Sequence, residues 1–406
     1  MVGIVLATFF SDVGHEMATA VLPLYLATLG FGPAALGVIE GVADFAFSLS
    51  KLAGGAVGHH VTRKRPLAAL GYGVTALGTA AMSLVSSVAG IGALRVVAWM
   101  GRGFRGPLRD FLLSDEVEST HFGRAYGVER TADMLGAVMG PFIALVLLQL
   151  GAPIVVVIGV SVVPALGSVA AILGLTRDRA PSLPPPAPAA AGSAEPAAAA
   201  SAEPARSARL PRRFWLLVAG VLLFGLGDFS RTFLIFLIAD AFGGSTDKTA
   251  LTTGVLAYTV HNAISGVAAL PAGRLGDRVP KWKVLVGGYV LGVVTNFLLA
   301  GTSSTHWGLA LAVVLSGVYI AVEETIEKAA VAELLPRHQR SLGFGILASA
   351  NAVGDMVSSI YVGALLSAGR APLAFTIAGS LGALGAAWVL VVGRAASGSA
   401  APRPVP

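Results

Sequence analysis

The chain has 406 residues, 55% of them hydrophobic and only 12% charged, with a formal net charge of +6. A soluble domain carries roughly 25% charged residues, so the composition excludes a soluble enzyme, a disordered chain and a secreted disulfide scaffold. There is no cysteine, hence no disulfide, thiolate metal site or cysteine nucleophile, and the excess of Lys and Arg reads as a membrane-orientation signal with no nucleic-acid partner expected.

The first apolar run, 2–29, has no basic leader and contains Asp12, His15 and Glu16, unlike a cleaved signal peptide. Further runs follow at 33–57, 66–88, 91–113, 122–150 and 152–175, then at 214–242, 251–272, 283–301, 307–335, 341–366 and 372–392. Each is about the length that crosses a bilayer as a helix. A Pro/Ala-rich stretch, 176–213, lies between the two sets and reads as a linker. The expected fold is all-α and polytopic: twelve transmembrane helices in two pseudo-symmetric six-helix bundles, 1–175 and 214–393, followed by a tail, 394–406.

With both termini cytoplasmic, the inner loops and tail hold eighteen Lys and Arg, Arg63, Lys64, Arg278 and Arg337 among them, and the outer loops only Lys248 and Arg370. That asymmetry predicts cytoplasmic termini in a cell membrane. The halves also repeat. Gly55 and Gly273 are 218 residues apart, and so are Gly58 and Gly276, Gly127 and Gly345, and Gly136 and Gly354. Arg63 falls on Lys281 and Arg65 on Lys283. A duplicated unit with parallel halves is one known transporter architecture.

The string GAVGHHVTRKR, Gly55 to Arg65, resembles the loop signature of the major facilitator superfamily, and GRLGDRVPKWK, Gly273 to Lys283, resembles it more closely. Gly136, Gly140 and Pro141, in GAVMGP, resemble the front of a motif seen in the superfamily's antiporters. Two positions depart from the pattern: the loop acid present as Asp277 is His59 in the first half, and the trailing glycine pair of the antiporter motif is missing. The resemblance implies that Asp277 and Arg278 sit near the start of the fifth span, where a helix amino terminus favours an acid. His59 as a neutral ring cannot take that role, so the latch is expected to be one-sided. Gly55, Arg63, Lys64 and Gly273 complete the signature.

Charge at the bilayer centre costs ~2.5–3.5 kcal/mol on insertion scales, so it marks a cavity or a partner. Asp12 and Glu16 share a face of the first span, with His15 beside them. Two carboxylates one turn apart resist ionising together, which makes them proton-coupling candidates, with Asp228 in the second half. The pair needs a base, and the fourth span offers Arg95, Arg102, Arg105 and Arg109. His15, Glu40, Asp44, Arg102 and Arg231 are candidates for lining a solute cavity. Glu40, Asp44 and Lys51 could instead neutralise one another, as could Glu129, Arg130 and Asp133. A shift of 218 maps Arg105 onto Glu323, Arg109 onto Glu327 and Asp110 onto Lys328, inverting charge each time. In the family these spans line the cavity from opposite bundles, so the six residues are expected to form an inner gate, a bistable element. The alternative is that each charge pairs within its own bundle, Arg109 with a carboxylate of the first span for example.

Other motifs fail in context. Gly101 to Gly106 reads G-x-G-x-x-G but lies inside an apolar helix with no preceding strand. Gly225 to Asp228 reads GLGD, as in intramembrane aspartyl proteases, without the Tyr-Asp pair those enzymes need. His15-Glu16 has no second His four residues on. No metal, cofactor or nucleotide-binding loop is expected. The reading is secondary active transport of a small solute, proton-coupled, with efflux slightly favoured, by a monomer in the lipid bilayer. The rivals are a non-transporting membrane sensor on the same scaffold and the protease.

Overall fold

The computed structural model describes residues 1–31, 33–178, 209–230, 232–242 and 248–398. Most of the expected linker, the end of the tail and Arg231 lie outside the described residues. Fourteen α-helices occur among those described: α1 Val2–Thr28, α2 Pro33–His60, α3 Arg65–Ala81, α4 Val88–Glu116, α5 Phe122–Gln149, α6 Ile154–Val160, α7 Val162–Leu175, α8 Arg212–Gly225, α9 Thr232–Ala241, α10 Lys248–Arg278, α11 Lys281–Thr302, α12 His306–Leu334, α13 Arg340–Ser367 and α14 Ala371–Gly398. Six segments are long and apolar enough by length and composition alone to cross a membrane. α1, α2 and α4, which bear many of the ionisable residues, are not among them.

Two spans expected to be continuous are broken. The sixth is interrupted at Ser161, where Pro164 cannot donate a hydrogen bond to the carbonyl four residues earlier. The seventh stops at Gly225 and resumes at Thr232. In the gap, Tyr361 donates to the carbonyl of Leu226, Asn296 to that of Gly227 and Ser358 to that of Asp228. Side chains of α11 and α13 thus replace the missing helical partners, which is what lets backbone unwind inside an apolar bundle.

The repeat is visible in the turns and crossings. Gly151 and Gly369, again 218 apart, have φ of +85° and +71° and turn the chain out of α5 and α13, a conformation that favours glycine. Gly136 lies against α1, where an added Cβ would sit 2.7 Å from the carbonyl of Phe9, and its repeat mate Gly354 lies against Gly225 of α8. Between the halves, α2 packs on α13 and α5 on α10, through close approaches of Gly55 to Gly345 and of Gly123 to Gly273.

Candidate functional site

The amino-terminal half of the site is built on the α1–α5 crossing. At Gly140 a Cβ would lie 2.7 Å from the carbonyl of Val13, so only glycine at 136 and 140 lets α1 approach this closely. The approach carries Asp12, 2% exposed, against α5, within hydrogen-bonding reach of Asp133. Arg102 of α4 donates to Asp12 and is the base that the paired acids of α1 required. Arg130 holds Asp133 at 2.7 Å. Glu16 is half-buried one turn beyond Asp12, so the carboxyl nearest Asp12 comes from another helix, a pairing that sequence spacing could not reveal.

A second network surrounds Trp99. Arg95, 1% exposed, pairs with Glu40 at 3.0 Å and donates to Thr19 at 3.1 Å. The Trp99 ring takes the guanidinium carbons of Arg95 and Arg102 at 4.9 and 5.5 Å, and the His15 ring packs on it at 4.5 Å. This corrects one expectation: Glu40, Asp44 and Lys51 do not neutralise one another. Glu40 is taken by Arg95, Asp44 is exposed, and Lys51 projects along α2 to lie 4.2 Å over Phe47.

On the carboxy-terminal side, the unwound segment presents Asp228, 4% exposed, which accepts from the Tyr319 hydroxyl at 2.6 Å. Glu327 accepts from the Tyr289 hydroxyl and from Asn351 at 2.8 Å.

The gate expected from charge inversion is rearranged. Arg105 donates to Ser11 at 2.8 Å and stacks 3.9 Å over Tyr72, so it does not pair with Glu323. Arg109 pairs with Asp110 and Glu129 in its own bundle, and Glu327 also turns inward. Of the three expected pairs, Asp110 and Lys328 line the same cavity, but the carboxylates within 4.0 Å of that ammonium are Glu324 and Glu129. At the gate itself the bridges between bundles come from α5: Arg130 to Glu324 at 3.5 Å and Glu129 to Lys328 at 4.0 Å. Glu129, Arg130 and Asp133 therefore do more than neutralise one another. A repeat relates positions, while side-chain reach decides partners.

At the end of the molecule that carries the basic loops, Asp277 accepts the N–H groups of Gly123 and Arg124 at 2.7 and 3.0 Å. An acid here satisfies two orphan donors of α5 and complements its dipole. His59, its counterpart, donates from Nδ1 to the carbonyl of His338 at 3.0 Å. It closes the other side as a donor, not as an acid. Arg63 is exposed. Lys64 is buried over Phe111 at 4.1 Å, and burial, then the charge of Arg337, push its ammonium below the usual lysine value. Two ties escaped sequence reasoning. Arg337 forks onto both oxygens of Asp115, which holds its guanidinium above the usual value. Asp178 accepts the N–H groups of Lys64 and Arg65, each at 3.0 Å. Asp115 falls on Glu333 under the shift of 218, but its partner Arg337 falls on Ser119, so the repeat does not announce the pair, and Asp178 has no acidic counterpart.

Above this sealed end lies a cavity of about 340 Å³ between the bundles. The amino-terminal bundle lines it with Lys51, Arg102, Arg105, Arg109, Arg130, Asp110 and Asp133. The carboxy-terminal bundle contributes Asp228, Glu323, Glu324, Glu327, Asp355 and Lys328. His15 and Glu40 stand behind this wall and Asp44 away from it. Among the described residues no group of three or more His, Asp or Glu side chains is arranged to hold a metal.

Two helical bundles related by an internal repeat, with a charged cavity between them and one end closed by cross-bundle ties, define a polytopic membrane transporter. The sequence profile of the Major Facilitator Superfamily matches residues 4–265 and 237–406, and the chain belongs to that family. It is a multi-pass membrane protein that moves a solute across the bilayer, and it is not an enzyme. An uncharacterized MFS-type transporter of Methanocaldococcus jannaschii is 22% identical over 88% of this chain and 86% of its own length. An uncharacterized protein of Mycobacterium bovis is 24% identical over 84% and 80%. Among solved structures, a bacterial homologue of the iron transporter ferroportin in an outward-facing state superposes with a TM-score of 0.72 at 13% identity, covering 97% of this chain and 98% of that one. The fucose:proton symporter of E. coli gives 0.70 at 14% identity, covering 97% of each. These likenesses establish the fold.

Proposed function

We propose that this transporter is a proton-coupled symporter that acts as a monomer in the cytoplasmic membrane, with its basic end and both termini in the cytoplasm. The placement follows from the loop charges. The observation that carries the coupling is the Arg102–Asp12 pair at the cavity wall, with Asp133 beside it. While Asp12 is ionised it occupies Arg102. A proton on Asp12 removes that hold and frees the guanidinium for an anionic group of the solute, so proton and solute bind together, which is symport. Gly136, Gly140 and Pro141 resemble the front of an antiporter motif, but α1 packing accounts for both glycines without antiport. A fucose:proton symporter shares the fold, in keeping with this reading.

Proteoliposomes loaded with pyranine and acidified outside test it. They are offered four solute classes in turn: amino acids, dipeptides and betaine; monocarboxylates; primary amines; and hexoses. One class should drive proton entry and accumulate, and Asp12→Asn should abolish accumulation while leaving solute exchange. Accumulation that persists in Asp12→Asn, or that a protonophore leaves unchanged, overturns the coupling.

A further inference from the structure

The two walls of the cavity carry opposite net charge. Among the described lining residues, the amino-terminal bundle supplies five Lys and Arg against two Asp, and the carboxy-terminal bundle five Asp and Glu against one Lys. Among the described residues, two cations on the first wall, Lys51 and Arg105, have no carboxylate within 4.0 Å. The Lys51 ammonium rests over the Phe47 ring. Arg105, 3% exposed, spends its hydrogen bonding on the Ser11 hydroxyl, and its Nε is buried without a partner. A weakly polarisable interior strengthens such fields, so the walls select by repulsion as well as attraction. A simple anion that reached the basic wall would also face Glu323 and Asp355. A simple cation at the acidic wall would face Arg102 and Arg105. A neutral sugar would bury against charges that it cannot neutralise, at a desolvation cost. A volume of about 340 Å³ is at the low end for small-molecule sites.

We propose that the solute is a small zwitterion, its anionic group held by the Lys51–Arg102–Arg105 wall and its cationic group by the wall of Asp228, Glu323 and Asp355. The proposal rests on the transport reading above. It gives Arg102 its second partner, the anionic group that protonated Asp12 leaves room for.

The probes are alanyl-alanine and glycine betaine, with N-acetylalanine as an anion, alaninamide as a cation and glucose as a neutral control. Binding to the purified full chain is read by calorimetry and uptake by the proteoliposome assay. At least one zwitterion should bind, and removing either of its charges should weaken binding at least about tenfold, the scale of one charge-assisted hydrogen bond. Lys51→Met should lose zwitterion affinity to a similar degree and Lys51→Arg retain it. Asp355→Asn should narrow the gap between alanyl-alanine and N-acetylalanine, a change in discrimination that a misfolded variant cannot produce. A singly charged or neutral probe that binds as tightly as both zwitterions, or no binding by either zwitterion, overturns the proposal. Proton-driven uptake of another solute class would overturn it and leave symport standing, whereas no solute-driven proton entry with any class removes symport as well.

Discussion

Asp277 of α10 reaches across the bundle interface to the N–H of Gly123, 2.7 Å away at the start of α5. Its second oxygen takes the N–H of Arg124, and Gly123 and Gly273 are too close for a side chain on either. A charge-assisted hydrogen bond contributes about 1.5–3 kcal/mol. Asp277→Ala should therefore shift the population at least about tenfold from the basic-end-closed state towards the open one. Because the chain has no native cysteine, a single Ala348→Cys in the cavity reports this directly: its labelling by an impermeant reagent from the basic side should rise. Unchanged labelling means that the other cross-bundle ties suffice.

The Arg102–Asp12 pair gives a second expectation. Removing one partner of a buried ion pair leaves an uncompensated charge and costs about 3–5 kcal/mol, while removing both costs much less. Arg102→Ala should depress the melting temperature in detergent, and the Arg102→Ala/Asp12→Ala double variant should recover most of the loss. Additive destabilisation would show that Arg102 supports the fold through Trp99 and not through Asp12.

Gly136 and Gly140 should tolerate no side chain. An added Cβ would meet the carbonyls of Phe9 and Val13, each at 2.7 Å, and overpacking of this kind costs about 1–3 kcal/mol. Gly136→Ala and Gly140→Ala should each lower stability, and because they push α1 from α5 they should also separate Asp12 from Asp133. The expected signature is a proton-coupling defect out of proportion to the loss of folded protein. Gly106→Ala, at a position with nothing within 4 Å of the added carbon, is the control and should melt like the parent.

Much of this architecture was legible in the sequence because it is written locally or periodically. Apolar runs marked the spans, basic loops marked one end, and a repeat of 218 residues marked the halves. The Asp277 latch followed from the resemblance of Gly273 to Lys283 to the family's loop signature, which implies an acid near the start of the fifth span. What the sequence could not provide were contacts set by the reach and crossing of helices distant in the chain. Asp12 meets Asp133, not Glu16, because two glycines on α5 admit α1. Arg337 finds Asp115 across 222 residues with no pattern to announce it. The break at Asp228 was hidden because Gly225 and Gly227 occur in a sequence apolar enough for a continuous helix, and the side chains that sustain the break come from α11 and α13.

The gate is where the inversion of charge between halves was most suggestive and where the partners moved. Arg130 and Glu324 lie 3.5 Å apart across the interface, with Glu324 31% exposed, whereas Arg105 is occupied by Ser11 and Tyr72. A partly solvated pair contributes about 0.2–1 kcal/mol. Glu324→Gln should thus raise the open-state population modestly, about two- to fivefold, read as a shift in spin-label distances across the basic end. Combining Arg105→Glu with Glu323→Arg should not restore the transport lost in Arg105→Glu alone, because the reversed charge at 105 would stand beside Ser11 and Tyr72 with the acids of α1 close by. Recovery of transport in that double variant would mean that Arg105 swings to Glu323 in another state of the cycle, and that the inversion between halves is the working gate after all.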